Sequence, residues 1–277
     1  MAAHTAVGYV LAVGLDDATR GEQLGPAAAG LAAWVVGLNG GTLAINSAFD
    51  RDEGDVAYLR SPPPPPAHLF AFGLGLMGAG LAAACFLPRS YLLAYALCFA
   101  LSILYSVPPV RLKAVAGADW LVNMWGFGTL TPLAGWTATG LPLTRPGMLV
   151  LLAFCPLFAA FYPLTQIYQI EEDCARGDQT LAIRLGVRRS LVVAAVAALL
   201  GFVLFAAAGI TAGWSRADRA VFRWTLLAAA MAAWASVLIP WLSGHGAWTP
   251  ARHQRGMYAA LGAWAVTDVA AAVAWGT

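Results

Sequence analysis

The chain consists mostly of long apolar runs separated by short polar or proline-rich breaks. A helix needs about 20 mainly apolar residues to cross a bilayer. Runs of that order cover Gly25–Phe49, Ala67–Leu87, Tyr91–Val107, Ala118–Thr137, Met148–Ile170, Ser190–Gly213, Ala220–Leu242 and Gly256–Trp275. A shorter segment near Ala2–Leu15 either tilts at the interface or has its true start further upstream. Asp16–Gln23 is a polar turn. Pro62–Pro66 cannot continue a helix and favours an extended connector. Pro88 and Pro108-Pro109 end two further runs. The pattern predicts an all-α fold, a polytopic membrane helical bundle of about nine transmembrane helices around a central cavity. No shift in composition divides it, so residues 1–277 are read as a single domain.

Composition strengthens this picture. Hydrophobic residues make up 60% of the chain and charged residues 11%, against about 25% charged in soluble domains. The net charge of +2 supplies no field to attract nucleic acid. The four cysteines form no C-x-x-C pair and read as small core residues. Counting the short Ala2–Leu15 segment as the first run, the loops after the second, fourth, sixth and eighth runs carry ten of the 16 basic residues. That bias predicts that these loops face the cytoplasm, here of a bacterial inner membrane. Lys113 is the one lysine. Either this lone lysine is special, a mobile point charge among rigid guanidinium forks, or the chain reflects an arginine-rich, GC-biased genome.

The acidic residues are unevenly placed. Asp50, Asp52, Glu53 and Asp55 follow the second run, and Glu171, Glu172, Asp173 and Asp178 follow the sixth. Eight of the 14 acids therefore fall in two short stretches on one predicted side. Clustered carboxylates repel and favour a cation, although solvated loops are the plainer alternative. Asn46 and Asp50 are four apart and share a helix face, as do Gln169 and Asp173. Two helix ends can thus present oxygen ligands suited to magnesium. Arg111 and Lys113 lie on the same side. Alone they read as a positive-inside anchor; beside the acids they make a phosphate site.

At these stretches the sequence resembles the UbiA-type superfamily of intramembrane prenyltransferases. Asn46-Ser-Ala-Phe-Asp50-Arg-Asp52-Glu-Gly-Asp55 is similar to that family's N-x-x-x-D-x-x-x-D motif. Gln169–Asp173 followed by Gly177-Asp-Gln-Thr180-Leu-Ala-Ile-Arg-Leu-Gly186 is similar to its second acidic motif and G-x-x-T-L-A-x-x-L-G segment. Tyr105-Ser-Val-Pro-Pro-Val-Arg111-Leu-Lys113 is similar to its Y-S-x-P-P-x-R-L-K segment. Two departures stand out. Gly54 falls at the last acid of the first motif, so Asp52 or Asp55 must supply that ligand. Gln169 replaces the first aspartate of the second motif, with Glu172 as the substitute.

The resemblance implies magnesium-dependent transfer of a prenyl group from an isoprenoid diphosphate to a lipophilic, aromatic-type acceptor within the membrane. It implies metal ligation by Asp50, Asp52, Asp55, Glu172 and Asp173, and substrate contacts from Asn46, Asn123, Tyr105, Tyr168, Gln169, Arg111 and Lys113. Asp50, Asp173, Lys113, Arg111 and Tyr162 are the expected catalytic residues. The partners expected are a prenyl diphosphate, the lipophilic acceptor and membrane lipid, with no nucleic acid.

The chemistry is physically coherent. Magnesium, Arg111 and Lys113 would neutralise charge developing on the leaving group. An allyl cation needs a dry pocket and benefits from aromatic faces. Phe49, Tyr105, Trp125, Phe158, Phe161, Tyr162 and Tyr168 are candidates, although packing is the commoner role for an aromatic in a bundle; Tyr162 and Tyr168 are singled out by their closeness to the second motif. Asp268, within the last run, either contacts the acceptor or bonds Asn39 or another helix. Asp119 reads as a helix-start acid. His4, His68, His245 and His253 show no metal spacing and are read as interfacial. A terpene cyclase without external acceptor is the alternative enzyme. A cation-coupled transporter fits less well, since such proteins concentrate charge at the midplane.

Overall fold

The computed structural model describes residues 1–50, 64–175, 177–216 and 218–277. Among them the chain forms nine helical rods and no strand. We label them α1 (Ala2–Val13), α2 (Leu24–Asp50), α3 (Leu69–Ala84), α4 (Arg89–Ser106), α5 (118–138), α6 (Arg145–Ala175), α7 (Leu181–Thr211), α8 (Ala220–Ala247) and α9 (Pro250–Gly276). Each rod stands where an apolar run predicts one. Six of them, α2, α4 and α6 to α9, are long and apolar enough to cross a membrane, while α1 and α3 are shorter apolar helices.

Local chemistry sets the ends. Thr144 accepts a hydrogen bond from the Gly147 amide at 3.1 Å and starts α6, with Pro146 just inside the helix. Thr249 does the same for the Arg252 amide at the start of α9. The run α7 begins at Leu181 rather than Ser190, because a short helical piece precedes the membrane helix. The two meet at Gly186, whose φ of 71° lies in the region that favours glycine. Likewise α6 continues through a tighter 3-10 turn, Ile167–Gln169, into Ile170–Ala175. Much of the second acidic motif is therefore on a helix end rather than in a loop.

The core has two parts. The smaller joins α2, α3, α4 and one face of α5 around Trp34, Tyr91, Tyr95 and Met77. The larger joins α1 and α6 to α9 around Phe154, Phe205, Trp234, Trp241 and Trp264. Small residues let α1 and α5 touch backbone to backbone. A Cβ added at Gly8 would lie 1.7 Å from the Pro132 carbonyl oxygen, and one at Gly135 would lie 1.9 Å from that of Thr5.

Three prolines inside α5 and α6 each remove an amide donor. In a bilayer the freed carbonyl needs another partner. Pro163 cannot serve Ala159, and the Trp120 indole N–H donates to that oxygen at 2.8 Å. Pro132 cannot serve Gly128, and His4 Nε2 lies 3.2 Å from that oxygen. The other His4 nitrogen, Nδ1, lies 2.7 Å from the Asp268 carboxylate. His4 is thus buried, not interfacial, and Asp268 is bound to α1 rather than to Asn39. His253 is also buried and accepts from the Trp241 indole at 2.8 Å.

Candidate functional site

One face of α2 carries Asn39, Thr42, Asn46 and Asp50, spaced by three, four and four residues. That spacing stacks their side chains along one stripe. Facing α4 residues bind it: the Thr42 and Ser102 hydroxyls are 2.9 Å apart, and Ser106 donates to Asn46 Oδ1 at 3.2 Å. The stripe ends at Asp50, whose side chain is 9% exposed.

Two loops close over that end. After α4 the chain turns through Pro108-Pro109 to Arg111, which takes a left-handed conformation with φ of 37°. A residue with a side chain pays of order 1 kcal/mol for such a backbone, a pattern concentrated at functional positions. The turn aims Arg111 and Lys113 at the acids. The Lys113 ammonium donates to Asp50. Arg111 donates to Asp178 at 2.6 Å and lies 3.8 Å from Asp50. The second loop is pinned to the first, since the Gln179 amide donates to the Ala114 carbonyl at 3.3 Å. It also folds back on itself, with the Asp178 amide donating to the Asp173 carbonyl at 3.0 Å. Both Asp173 and Asp178 are buried.

Beneath the loops Asp119 ties three elements together. It is wholly buried, and its carboxylate accepts from the Gly117 amide at 2.8 Å, the Gln166 carboxamide at 2.7 Å and the Leu181 amide at 3.2 Å. Gln166 in turn accepts from the Ala182 amide at 3.3 Å. These bonds satisfy the open amides at the start of α7 and hold α5, α6 and α7 in register. The helix-start role expected for Asp119 is present at Gly117, but the acid chiefly caps α7.

Inward from Asp50, between α2, α4, α5 and α6, lies a cavity of about 260 Å³. Asn46, Tyr105, Asn123 and Tyr162 line it, with Trp34, Leu38, Cys98 and Phe127 deeper in. The Tyr105 and Tyr162 hydroxyls are 2.7 Å apart. Phe158 stacks on Phe127 with centroids 5.3 Å apart and backs Tyr162 at 6.4 Å.

Residues 2–257 match the UbiA prenyltransferase family. The chain belongs to that family. Solved UbiA structures share the fold. The UbiA homolog from Archaeoglobus fulgidus bound to DMAPP and Mg2+ is 18% identical, with a TM-score of 0.69 over 98% of this chain and 94% of that one. A digeranylgeranylglyceryl phosphate synthase is 14% identical, with a TM-score of 0.70 over 99% of this chain and 92% of that one. The apo UbiA homolog from Aeropyrum pernix K1 is 18% identical, with a TM-score of 0.66 over 96% of this chain and 94% of that one. No curated protein matches the chain by sequence. The protein is an integral membrane member of a family of prenyltransferases, and its relatives include structures holding DMAPP or GPP with Mg2+.

On this UbiA frame the residues expected from sequence fall into groups. Asp50, Arg111 and Lys113 meet at one point, one helical turn from Asn46. Asn46, Asn123, Tyr105 and Tyr162 share the cavity wall. Asp173 is buried beside the Asp178 loop, while Gln169 and Glu172 are half-buried on the same helix end. Tyr168 packs against the larger core and is not among the residues lining the cavity. Trp125 is 44% exposed and lines a separate apolar groove with Trp120 and Leu200. Phe49 packs edge-on against Phe70 of α3. Asp52 and Asp55 lie outside the described residues. Among the described residues no three His, Cys, Asp or Glu side chains gather as a metal cluster. Sequence reading passed over Thr42 and Ser102 and offered Asn39 only as a partner for Asp268; the signal for Asn39 and Thr42 was the three-four-four stripe ending at Asp50. It counted Asp178 among the clustered acids but gave it no individual role; its pairing with Arg111 appears only in the fold.

Proposed function

We propose that this protein transfers a prenyl group from an isoprenoid diphosphate to a lipophilic acceptor bound in the membrane. The observation that carries the reading is the junction at Asp50. A charged cluster of Asp50, Arg111, Lys113 and Asp178 opens through Asn46 onto a cavity walled by polar but uncharged and aromatic side chains. A diphosphate suits the first compartment and a hydrocarbon chain or ring the second.

Asp50 and Asp173, with Glu172 and the acids Asp52 and Asp55, offer hard oxygen donors that fit Mg2+. When bound there, the ion would neutralise charge on the diphosphate and weaken its bond to carbon. Arg111 and Lys113 would exchange part of their pairing with Asp50 for phosphate oxygens, which the guanidinium fork and the ammonium both bind well. The bond between C1 of the prenyl group and the bridging oxygen breaks, and its electron pair leaves with diphosphate. A new bond forms from the acceptor to C1, and the acceptor releases a proton. Tyr105 and Tyr162 stand at the level where C1 would lie. Their ring faces and that of Phe158 would stabilise positive charge there, and the apolar walls would exclude water. We place the charged end of the bundle, and hence diphosphate entry, on the cytoplasmic face of a bacterial inner membrane. We read the chain as one functional domain.

The test uses membranes carrying the protein, magnesium and radiolabelled prenyl diphosphates of several lengths, with and without aromatic acceptors. Magnesium-dependent diphosphate release that is lost in Asp50→Ala and in Asp173→Ala supports the reading. No release with any donor, or full activity in both variants, overturns it. Release with a cyclised hydrocarbon as product, and no acceptor consumed, would replace transfer by cyclisation.

A further inference from the structure

A second hollow, of about 360 Å³, lies between α5 and α7, over α6. Its floor is made of small residues, Cys155, Ala159 and Ala197, while Trp125 and Leu200 on its rims are 44% and 51% exposed. Among the described residues lining it, none has a charged side chain. It is separate from the inner cavity. On α5, Asn123 and Phe127 line the cavity, whereas Trp120 and Met124 line the groove. On α6, Tyr162 lines the cavity and Ala159 the groove. The groove is firm on this side, because the Trp120 indole is bonded to the Ala159 carbonyl at 2.8 Å.

The α7 wall has a charged head. Arg189, Val193, Ala197, Leu200 and Leu204 are spaced by four, four, three and four residues. Beyond Gly186 the helix is regular, so that spacing sets them on one stripe. Ala197, Leu200 and Leu204 line the groove, and Arg189 stands above them, exposed. From Arg189 to Leu204 the stripe runs about 22 Å, at roughly 1.5 Å per residue. Half of a bilayer, headgroups included, is about 20–22 Å. The stripe therefore reaches from the level of lipid phosphates to the end of one leaflet's hydrocarbon. Arg188 is rotated by about 100° around the helix and heads a different stripe, Val192, Val196 and Leu199, outside the groove.

An apolar notch within a bilayer holds no water and is filled by packing against a chain. A guanidinium above it favours a lipid whose phosphate is not balanced by a cation of its own. We infer that the groove holds one acyl chain of an anionic phospholipid, with its phosphate bound by Arg189. This lipid site lies behind the wall of the prenyl-transfer cavity and does not depend on that reading.

The test reconstitutes the full chain in phosphatidylcholine nanodiscs. A trace of either phosphatidylglycerol or phosphatidylcholine carries a photoactivatable diazirine near the end of one acyl chain, and labelled residues are mapped by mass spectrometry. Labelling of Leu152, Leu200 and Leu204 should be about fivefold higher from phosphatidylglycerol, the preference one arginine near the surface confers. Arg189→Gln should abolish that excess, and Arg188→Gln should keep it. Ala197→Phe fills the floor and should lower groove labelling by both lipids. Equal labelling by the two lipids overturns the inference, as does an excess that survives Arg189→Gln. Equal loss in the two arginine variants also overturns it and leaves only diffuse surface charge. Unchanged groove labelling in a folded Ala197→Phe overturns it too, and cross-links between two copies through the groove give that face to a second copy instead. Thermal unfolding in detergent checks each variant. Both arginines are exposed, so if Ala197→Phe does not fold, the arginine pair decides the matter.

Discussion

Asp119 and Asp50 are both carboxylates drawn out of solvent at helix ends, yet the chain uses them in opposite ways. Every bond to Asp119 comes from a short, fixed donor: two backbone amides and the Gln166 carboxamide. Among the described residues Asp50 is met by the tips of two long side chains, Lys113 and Arg111. The first arrangement cannot be exchanged without unwinding the start of α7. The second can be, because a diphosphate offers the same cations other oxygens and a metal offers Asp50 another partner. A buried acid held by backbone is architecture; one held by mobile cations is a site in waiting.

That contrast can be broken by experiment. The largest effect is expected for Asp50→Ala: prenyl diphosphate turnover should fall about 10³-fold, or about 4 kcal/mol in the barrier, with little change in the unfolding midpoint in detergent. A large drop in that midpoint would make Asp50 architectural as well. For Asp119→Ala the order reverses. Leaving three donors buried and unpaired should cost about 3 kcal/mol of stability, read as an earlier thermal transition, while turnover per folded molecule is kept. If turnover vanishes and stability holds, Asp119 belongs to the site instead.

Two smaller substitutions sharpen the architectural side. His4→Ala strips partners from Asp268 and from the Gly128 carbonyl and should cost about 2 kcal/mol, seen by the same melting measurement. Trp120→Phe removes the donor to the Ala159 carbonyl and should cost about 1 kcal/mol. Adding Pro163→Ala returns a backbone N–H to that carbonyl, so the double variant should recover most of the loss. A strictly additive cycle would show that Trp120 acts by packing alone.

Part of this was legible in the sequence. The apolar runs located all nine rods, and the spacing of Asn46 and Asp50 put both on one helix face. The Arg111-x-Lys113 pair was expected near the acids and meets Asp50. The same periodic reading stopped short of Asn39 and Thr42, because a polar residue inside an apolar run does not reveal which face it occupies until the neighbours are known. His4 was misread as interfacial because its partner, Asp268, lies 264 residues away. The start of α7 was missed for a similar reason: Leu181–Arg189 is interrupted by three arginines and Gly186, and its first helical turn is capped from α5 and α6 by Asp119 and Gln166. Tyr168 was favoured for its nearness to the second motif; it lies in the 3-10 turn Ile167–Gln169, and its ring packs against the larger core.

The sequence by itself determined the membrane bundle, the order of its rods and the acidic and basic stretches that mark its working end. Those are properties of local composition and periodicity, which every residue carries wherever it is placed. The tertiary structure alone decided which buried acid is sealed by backbone amides and which faces exchangeable cations. It also decided which proline-freed carbonyls are met by Trp120 and His4, and that the α2 stripe opens into a cavity. Each of these depends on pairings between distant segments, and in a bilayer the need to satisfy every polar group makes those pairings the selective step.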